Sequence, residues 1–163
     1  MNLSITHGVV PDQMKIARVV PLFKADDQSL FTNYRPVSVL PSFSKFLERI
    51  IYNRLYNVYL TNLHILCDNQ FGFRKNYSTT LDLHEKISSA IDRGELAVDV
   101  FLDLSKASDT VNHSILFDKL EHYGIRGLDL KWIKSYFSNR LQFVEYNING
   151  YVSSCANIMC GVP

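Results

Sequence analysis

The stretch V-F-L-D-L-S-K-A-S-D-T-V, residues 100–111, decides how the chain is read. The apolar run from Ala97 to Leu102 leads into Asp103, the chain then turns through Ser-Lys-Ala-Ser, and Asn112-His113-Ser114 has the look of a helix entry. On a strand over 97–104, Asp99, Phe101 and Asp103 share one face and Val98, Val100, Leu102 and Leu104 the other. A carboxylate at the end of a buried strand is costly unless it is paired or holds a metal. Asp103 and Asp109 are therefore candidates for a Mg²⁺-dependent phosphoryl-transfer site, and the plainer reading is an acidic loop after a strand.

Working outward, residues 15–24 read as a strand that Pro21 confines to an edge or bulge. Pro36 biases Arg35 toward an extended backbone before Val37-Ser-Val-Leu. From Ser42 the period becomes helical: Phe43, Phe46/Leu47, Ile50/Ile51, Leu55 and Val58/Tyr59 form a stripe, with Ser42 or Ser44 as N-cap and Lys45, Arg49 and Asn53 on the other face. Residues 61–77 are irregular, with Gly72 read as a tight backbone feature beside the basic pair Arg74-Lys75. A second helix runs from a Ser78 cap to a Gly94 stop. A third, about 113–123, is expected to bury Ile115, Leu116, Leu120 and Tyr123. A fourth, about 128–138, uses Leu130, Trp132/Ile133 and Tyr136/Phe137. Leu141 to Tyr146 alternates as a strand, and Asn149-Gly150 reads as a hairpin turn.

The 163 residues are 47% hydrophobic and 20% charged, an ordinary globular composition of one domain or a piece of a larger one. No apolar run approaches the ~18–20 residues that span a bilayer, and the start lacks the pattern of a signal peptide. Three cysteines without metal-ligand spacing fit a reducing compartment, so the expected location is intracellular, cytoplasmic or nuclear. The net charge is +1, but residues 1–60 hold seven Lys/Arg against four Asp/Glu and the remainder ten against twelve. That split suits a phosphate-gripping part facing a metal-binding part. The chain stops on a strand exit, Gly161-Val162-Pro163, which predicts a truncated fold. Its oligomeric state is not legible.

Five ordered blocks now carry a resemblance. N-Y-R-P-V-S-V-L (33–40), S-K-F-L-E-R-I-I-Y-N-R-L (44–55), Q-F-G-F-R (70–74), F-L-D-L-S-K-A-S-D (101–109) and C-G-V-P (160–163) resemble the reverse transcriptase domain of non-LTR retrotransposons of the LINE type. The lead-in over residues 8–24 is similar too. The resemblance implies an α+β, right-hand polymerase fold: fingers over 1–95 and the start of the palm over 96–163, cut before the second half of the palm sheet. It implies an RNA-directed DNA polymerase that adds dNTP to a DNA primer on an RNA template by a two-Mg²⁺ mechanism, the metals ~3.5–4 Å apart.

By motif position, Asp103 is the catalytic metal ligand, joined by the Leu104 backbone carbonyl. Arg35, Lys45 and Arg74, in that order, are the candidates for the triphosphate, Arg74 alternatively buttressing its own loop. Two departures stand out. The later Tyr/Phe-x-Asp-Asp motif is missing, so this chain alone is expected to be catalytically incomplete. And Ser108 stands where the family has an aromatic residue, nearly always Phe, under the sugar of the incoming nucleotide, so it is expected to weaken selection against ribonucleotides or to mark decay of a dead element copy.

Asp99, ~13 Å along the strand from Asp103 at ~3.3 Å per residue, is also consistent with decay, or is a strand-entry residue paired with Lys86 or Arg93. Asp109 is expected to cap the helix near 113, and His113 and His122 to be ordinary helix residues. Two other functions compete. A non-catalytic nucleic-acid-binding remnant would show steep salt dependence. A small Mg²⁺-dependent phosphohydrolase would need a second acidic cluster, which the sequence lacks.

Overall fold

A computed structural model describes residues 2–61, 65–104, 106–146 and 151–162. Among these residues five α-helices, α1 (Asn2–His7), α2 (Ser42–Leu55), α3 (Thr79–Asp92), α4 (His113–His122) and α5 (Gly127–Phe137), accompany five strands. These are β1 (Ile16–Phe23), β2 (Tyr34–Val39), β3 (Leu141–Tyr146), β4 (Tyr151–Val152) and β5 (Ala156–Asn157). The sheet is mixed, in the order β2-β1-β3-β4, with β5 also paired to β3. β1 runs antiparallel to β2 and parallel to β3, so α2 to α5 all lie in the crossover between the parallel pair.

The proline rule explains one detail of register. β1 has a pairing partner on both sides only at Arg18 and Val19, and Pro21 falls beyond the last β3 pair, opposite Pro36. Neither proline has an N–H to give, so the two sit where the loss is least. The β1–β2 turn is held by its own side chains: Asp27 Oδ1 accepts from Ser29 N at 2.8 Å, and Asn33 Nδ2 and Tyr34 Oη donate back to the carbonyls of Asp27 and Gln28. The Ser29 bonds hold the Asp27 carboxyl below its ordinary value.

The core sits between helices. Leu47 from α2, Leu130, Trp132, Ile133 and Phe137 from α5, and Val10 and Ile125 form one buried cluster, with Met14, Leu116, Phe117 and Leu120 packed against it. Each fully buried large side chain contributes about 1.5–3 kcal/mol of transfer free energy.

Several expectations are corrected here. Pro41, not a serine, stands at the N-cap of α2, and Ser44 is buried with its hydroxyl donating to the Met14 carbonyl at 2.9 Å. Within the α2 stripe, Leu47 is 2% exposed but Phe43 and Phe46 are 72% and 59% exposed, because α5 and the N-terminal turn cover only one flank of it. After Leu55 the helix widens into a π-turn, Tyr56–Thr61. On α4, Phe117 joins the core instead of Ile115 and Tyr123, which stay exposed.

The expected strand over 97–104 does not form. Leu96, Val98, Val100, Phe101, Leu102 and Leu104 are 75% to 100% exposed, and none of the five strands pairs with the segment. Alternation supplies a face, but a strand also needs a neighbouring ladder to take its N–H and C=O groups. Asp99 gains no ion-pair partner among the described residues either: Lys86 pairs with Asp82 and Arg93 with Glu95, each at 2.8 Å. The Ser78 cap and the turn at Gly94 frame α3 as the sequence indicated, Ser78 Oγ accepting from Leu81 N. The Asn149-Gly150 turn lies outside the described residues, although Glu145↔Val152 and Tyr146↔Tyr151 pair on either side of it.

Candidate functional site

The acidic stretch is an exposed loop. Asp103 projects into solvent without an ion pair among the described residues, and the Leu104 carbonyl accepts from Ala107 N at 3.3 Å in the turn that follows. Lys106 takes a left-handed conformation, φ 54°, and Asp109 N and Thr110 N both return to its carbonyl. Asp109 does not cap α4. Asn112 does, its Oδ1 accepting from Ser114 N and Ile115 N at 3.0 and 3.3 Å. Asp109 is one turn too early; Asn112 directly precedes the first helical residue and has the extended backbone a cap requires.

What fixes this loop is the far end of the chain. Gly161 N donates to the Val111 carbonyl and Val162 N to the Ser108 carbonyl, both at 2.9 Å. His113 Nε2 donates to the Gly161 carbonyl at 2.8 Å while its ring packs 4.9 Å from that of Phe137. His113 is thus a connector between the loop, the core and the C-terminal segment, which sequence spacing gave no means of finding. Gly161 has φ +86°, and a Cβ there would meet Asp109 O at 2.9 Å, so only glycine fits without a shift.

The three basic candidates stand on separate elements. Arg35 is exposed on β2, opposite Leu22, and Lys45 is exposed in the first turn of α2. Arg74 turns inward on its own loop: its guanidinium donates to the carbonyls of Cys67 and Gln70 at 3.1 and 3.3 Å and lies 3.8 Å over the Tyr77 ring. None of the three forms a salt bridge among the described residues. In the same loop the left-handed backbone falls at Phe73 and Asn76, not at Gly72: Phe73 has φ 60° and is fully exposed, and Asn76 has φ 66°.

Asp103 offers a hard oxygen donor of the type Mg²⁺ takes. Among the described residues no three His, Cys, Asp or Glu side chains converge on one point. The residues present fit one carboxylate of a metal site and do not by themselves build a two-metal centre.

Two further features escaped the sequence reading. A groove of about 610 Å³ runs between the outer face of α2 and the 73–75 loop, lined by Arg49, Tyr52, Asn53, Tyr56, Asn57, Phe73, Arg74 and Lys75. It adjoins a larger hollow of about 940 Å³ that shares Tyr56, Asn57, Arg74 and Lys75. Behind the core, Arg140 is fully buried, donating to the Tyr136 carbonyl at 3.1 Å and lying 4.5 Å over its ring, with Nε and one terminal nitrogen unpartnered among the described residues. Tyr136 Oη donates to Glu48 Oε1 at 2.6 Å; burial first and this bond second push the phenol well above its ordinary value.

A mixed α+β domain with a mixed sheet is compatible with a piece of a template-directed polymerase. The comparisons give the family. The family description "Reverse transcriptase (RNA-dependent DNA polymerase)" matches residues 24–163, and the chain belongs to that family. The probable RNA-directed DNA polymerase from transposon BS of Drosophila melanogaster is 35% identical over 94% of this chain and 17% of its own length. The RNA-directed DNA polymerase from mobile element jockey of the same species is 34% identical over 99% of this chain and 18% of its own length. The probable polymerase from transposon X-element is 34% identical over 80% of this chain. The chain therefore spans less than a fifth of the length of these retrotransposon relatives, and none of its helices is long and apolar enough among the described residues to cross a membrane.

Proposed function

We propose that the chain is the fingers and first palm segment of an RNA-directed DNA polymerase, residues 1–95 and 96–163 respectively, acting on an RNA template, a DNA primer and dNTPs. The observation that carries this reading is the conjunction of family membership over 24–163 with an exposed carboxylate, Asp103, leading into a loop that Gly161 and Val162 hold at Val111 and Ser108. In the complete domain Mg²⁺ supplies charge neutralisation at the triphosphate and activation of the primer hydroxyl. The part of this chain is to present the Asp103 carboxylate and the Leu104 carbonyl, and to bring Arg35 and Lys45 to the phosphates. The exposed segment 96–104 completes a ladder when further palm strands lie beside it, which turns its apolar face inward.

Alone, the 163 residues bring one exposed carboxylate to that site, too little to hold two divalent cations. The test is primer extension on an RNA template by the isolated chain and by a chimera in which residues 1–163 replace the matching segment of the jockey polymerase. Extension by the chimera and none by the isolated chain is the expected result. A small Mg²⁺ phosphohydrolase would need a second acidic cluster beside Asp103, and none stands there among the described residues.

A further inference from the structure

Arg49 and Tyr52 on α2 and Tyr56, the first residue of the π-turn that follows, recur at i, i+3 and i+7 and so continue one face, away from the flank that carries Leu47, Ile51 and Leu55 into the core. That face runs about 10 Å along the helix. The Arg49 guanidinium lies 6.0 Å from the Tyr52 ring, and the Tyr52 and Tyr56 rings are 5.5 Å apart at 34°. Across the groove the 73–75 loop is fixed to the same helix end, Lys75 N donating to Tyr56 Oη at 2.8 Å. Its tip is Phe73, an apolar ring fully in water on a left-handed backbone, a cost in both exposure and strain that packing within the described residues does not offset. Among the described residues the groove lining contains three cations and no carboxylate.

Cations interleaved with open aromatic faces are what a flexible polyanion with stackable bases requires. Phosphates take the guanidinium and ammonium groups, and bases lie on the rings whatever their identity. A duplex hides its base faces, and an acidic peptide has no use for the rings. We infer that this groove binds single-stranded nucleic acid without base preference. Arg49 and Lys75 meet the phosphates, and Tyr52 and Phe73 act as stacking platforms. Arg74 is committed to the Cys67 and Gln70 carbonyls and shapes the loop. The inference deepens the polymerase reading, on which its biological sense rests, by assigning a strand-binding surface apart from the Asp103 loop.

The test is fluorescence anisotropy of a labelled 20-nucleotide oligo-dT with the 163-residue chain over a range of salt, circular dichroism confirming that each variant keeps its helices. Single-strand affinity changes with log salt by about −0.7 per phosphate neutralised, so the double substitution Arg49→Gln with Lys75→Gln is expected to reduce the slope by about 1.4. Tyr52→Ala and Phe73→Ala are each expected to weaken binding about fivefold or more. Lys119→Gln, on α4 away from the groove, leaves the wild-type curve. An abasic sugar-phosphate oligomer and a 20-base-pair duplex bind more weakly than the oligo-dT. The inference is overturned if the groove variants bind as wild type does, if the abasic or duplex probe binds as tightly, or if no binding is seen at low salt. Extension by the chimera is read separately, so failure of the groove leaves the polymerase reading standing and failure of extension leaves the groove's binding curve intact.

Discussion

His113 Nε2 donates to the carbonyl of Gly161 at 2.8 Å, joining the first residue of α4 to a residue 48 positions later in the chain. With the two 2.9 Å backbone bonds from Gly161 N and Val162 N, it closes the loop that carries Ser108 and Asp109 against the C-terminal segment. Gly161→Ala forces a side chain onto the Asp109 backbone at a positive φ. The expected cost is about 1–3 kcal/mol, measured by urea unfolding. Amide exchange at Val162 should accelerate, and unchanged exchange and stability would show that the loop is held by something else.

Ser108 lies exposed, its backbone carbonyl tied to Val162 N and its side chain clear of the core. Under the proposed role, no ring stands against a 2′-hydroxyl. In the jockey chimera, Ser108→Phe is expected to raise the preference for dNTP over rNTP, read as the ratio of incorporation rates. Equal discrimination with serine and phenylalanine would remove Ser108 from the sugar site.

The buried phenol of Tyr136 sets a pH dependence. Its folded value is raised, so the group contributes stability that is fully present below the unfolded value of about 10 and is lost as pH rises further. The sign follows from proton counts: above about pH 10 the unfolded state gives up the proton first, so alkali favours unfolding. Tyr136→Phe should flatten this decline above pH 10 and, by removing the bond to Glu48, cost about 1.5–3 kcal/mol at neutral pH. Denaturation curves at pH 7 and pH 11 decide it.

Leu47 and Phe43 belong to one apolar stripe but differ in surroundings. Leu47→Ala should cost about 2–5 kcal/mol, since it empties a site in the α2–α5 core. Phe43→Ala, at an exposed position, should fall within about 0.5 kcal/mol of the parent chain. Comparable losses at both positions would mean that a partner covers Phe43.

These contrasts show where the sequence was sufficient. Helices α2 to α5 and strands β1, β2 and β3 were readable because period, caps and stops are local, as where Ser78 and Gly94 frame α3 without help from distant residues, whereas α1, at six residues, is too short to show a period. Which flank of the α2 stripe is buried was not readable, because α5, far later in the chain, decides it. The strand expected over 97–104 failed for the same reason, since alternation cannot say whether a neighbouring strand is present. Asp103, Arg35, Lys45 and Arg74 were singled out by motif, yet the internal bonds of Arg74 and the latch of His113 onto Gly161 belong to tertiary structure alone. Arg140 carried no signal at all; a charged residue just before a strand gives no hint of complete burial.

In the proposed function the Asp103 carboxylate serves polymerisation. The most direct measurement is the rate of primer extension on an RNA template, with Mg²⁺, by the jockey chimera with Asp103 intact and with the substitution Asp103→Asn. Asparagine keeps the shape and removes the charge, and at an exposed loop position it leaves folding intact. A fall of about a thousandfold or more, with primer–template binding unchanged, is the predicted result. Extension by the Asp103→Asn chimera at the parent rate would contradict the account.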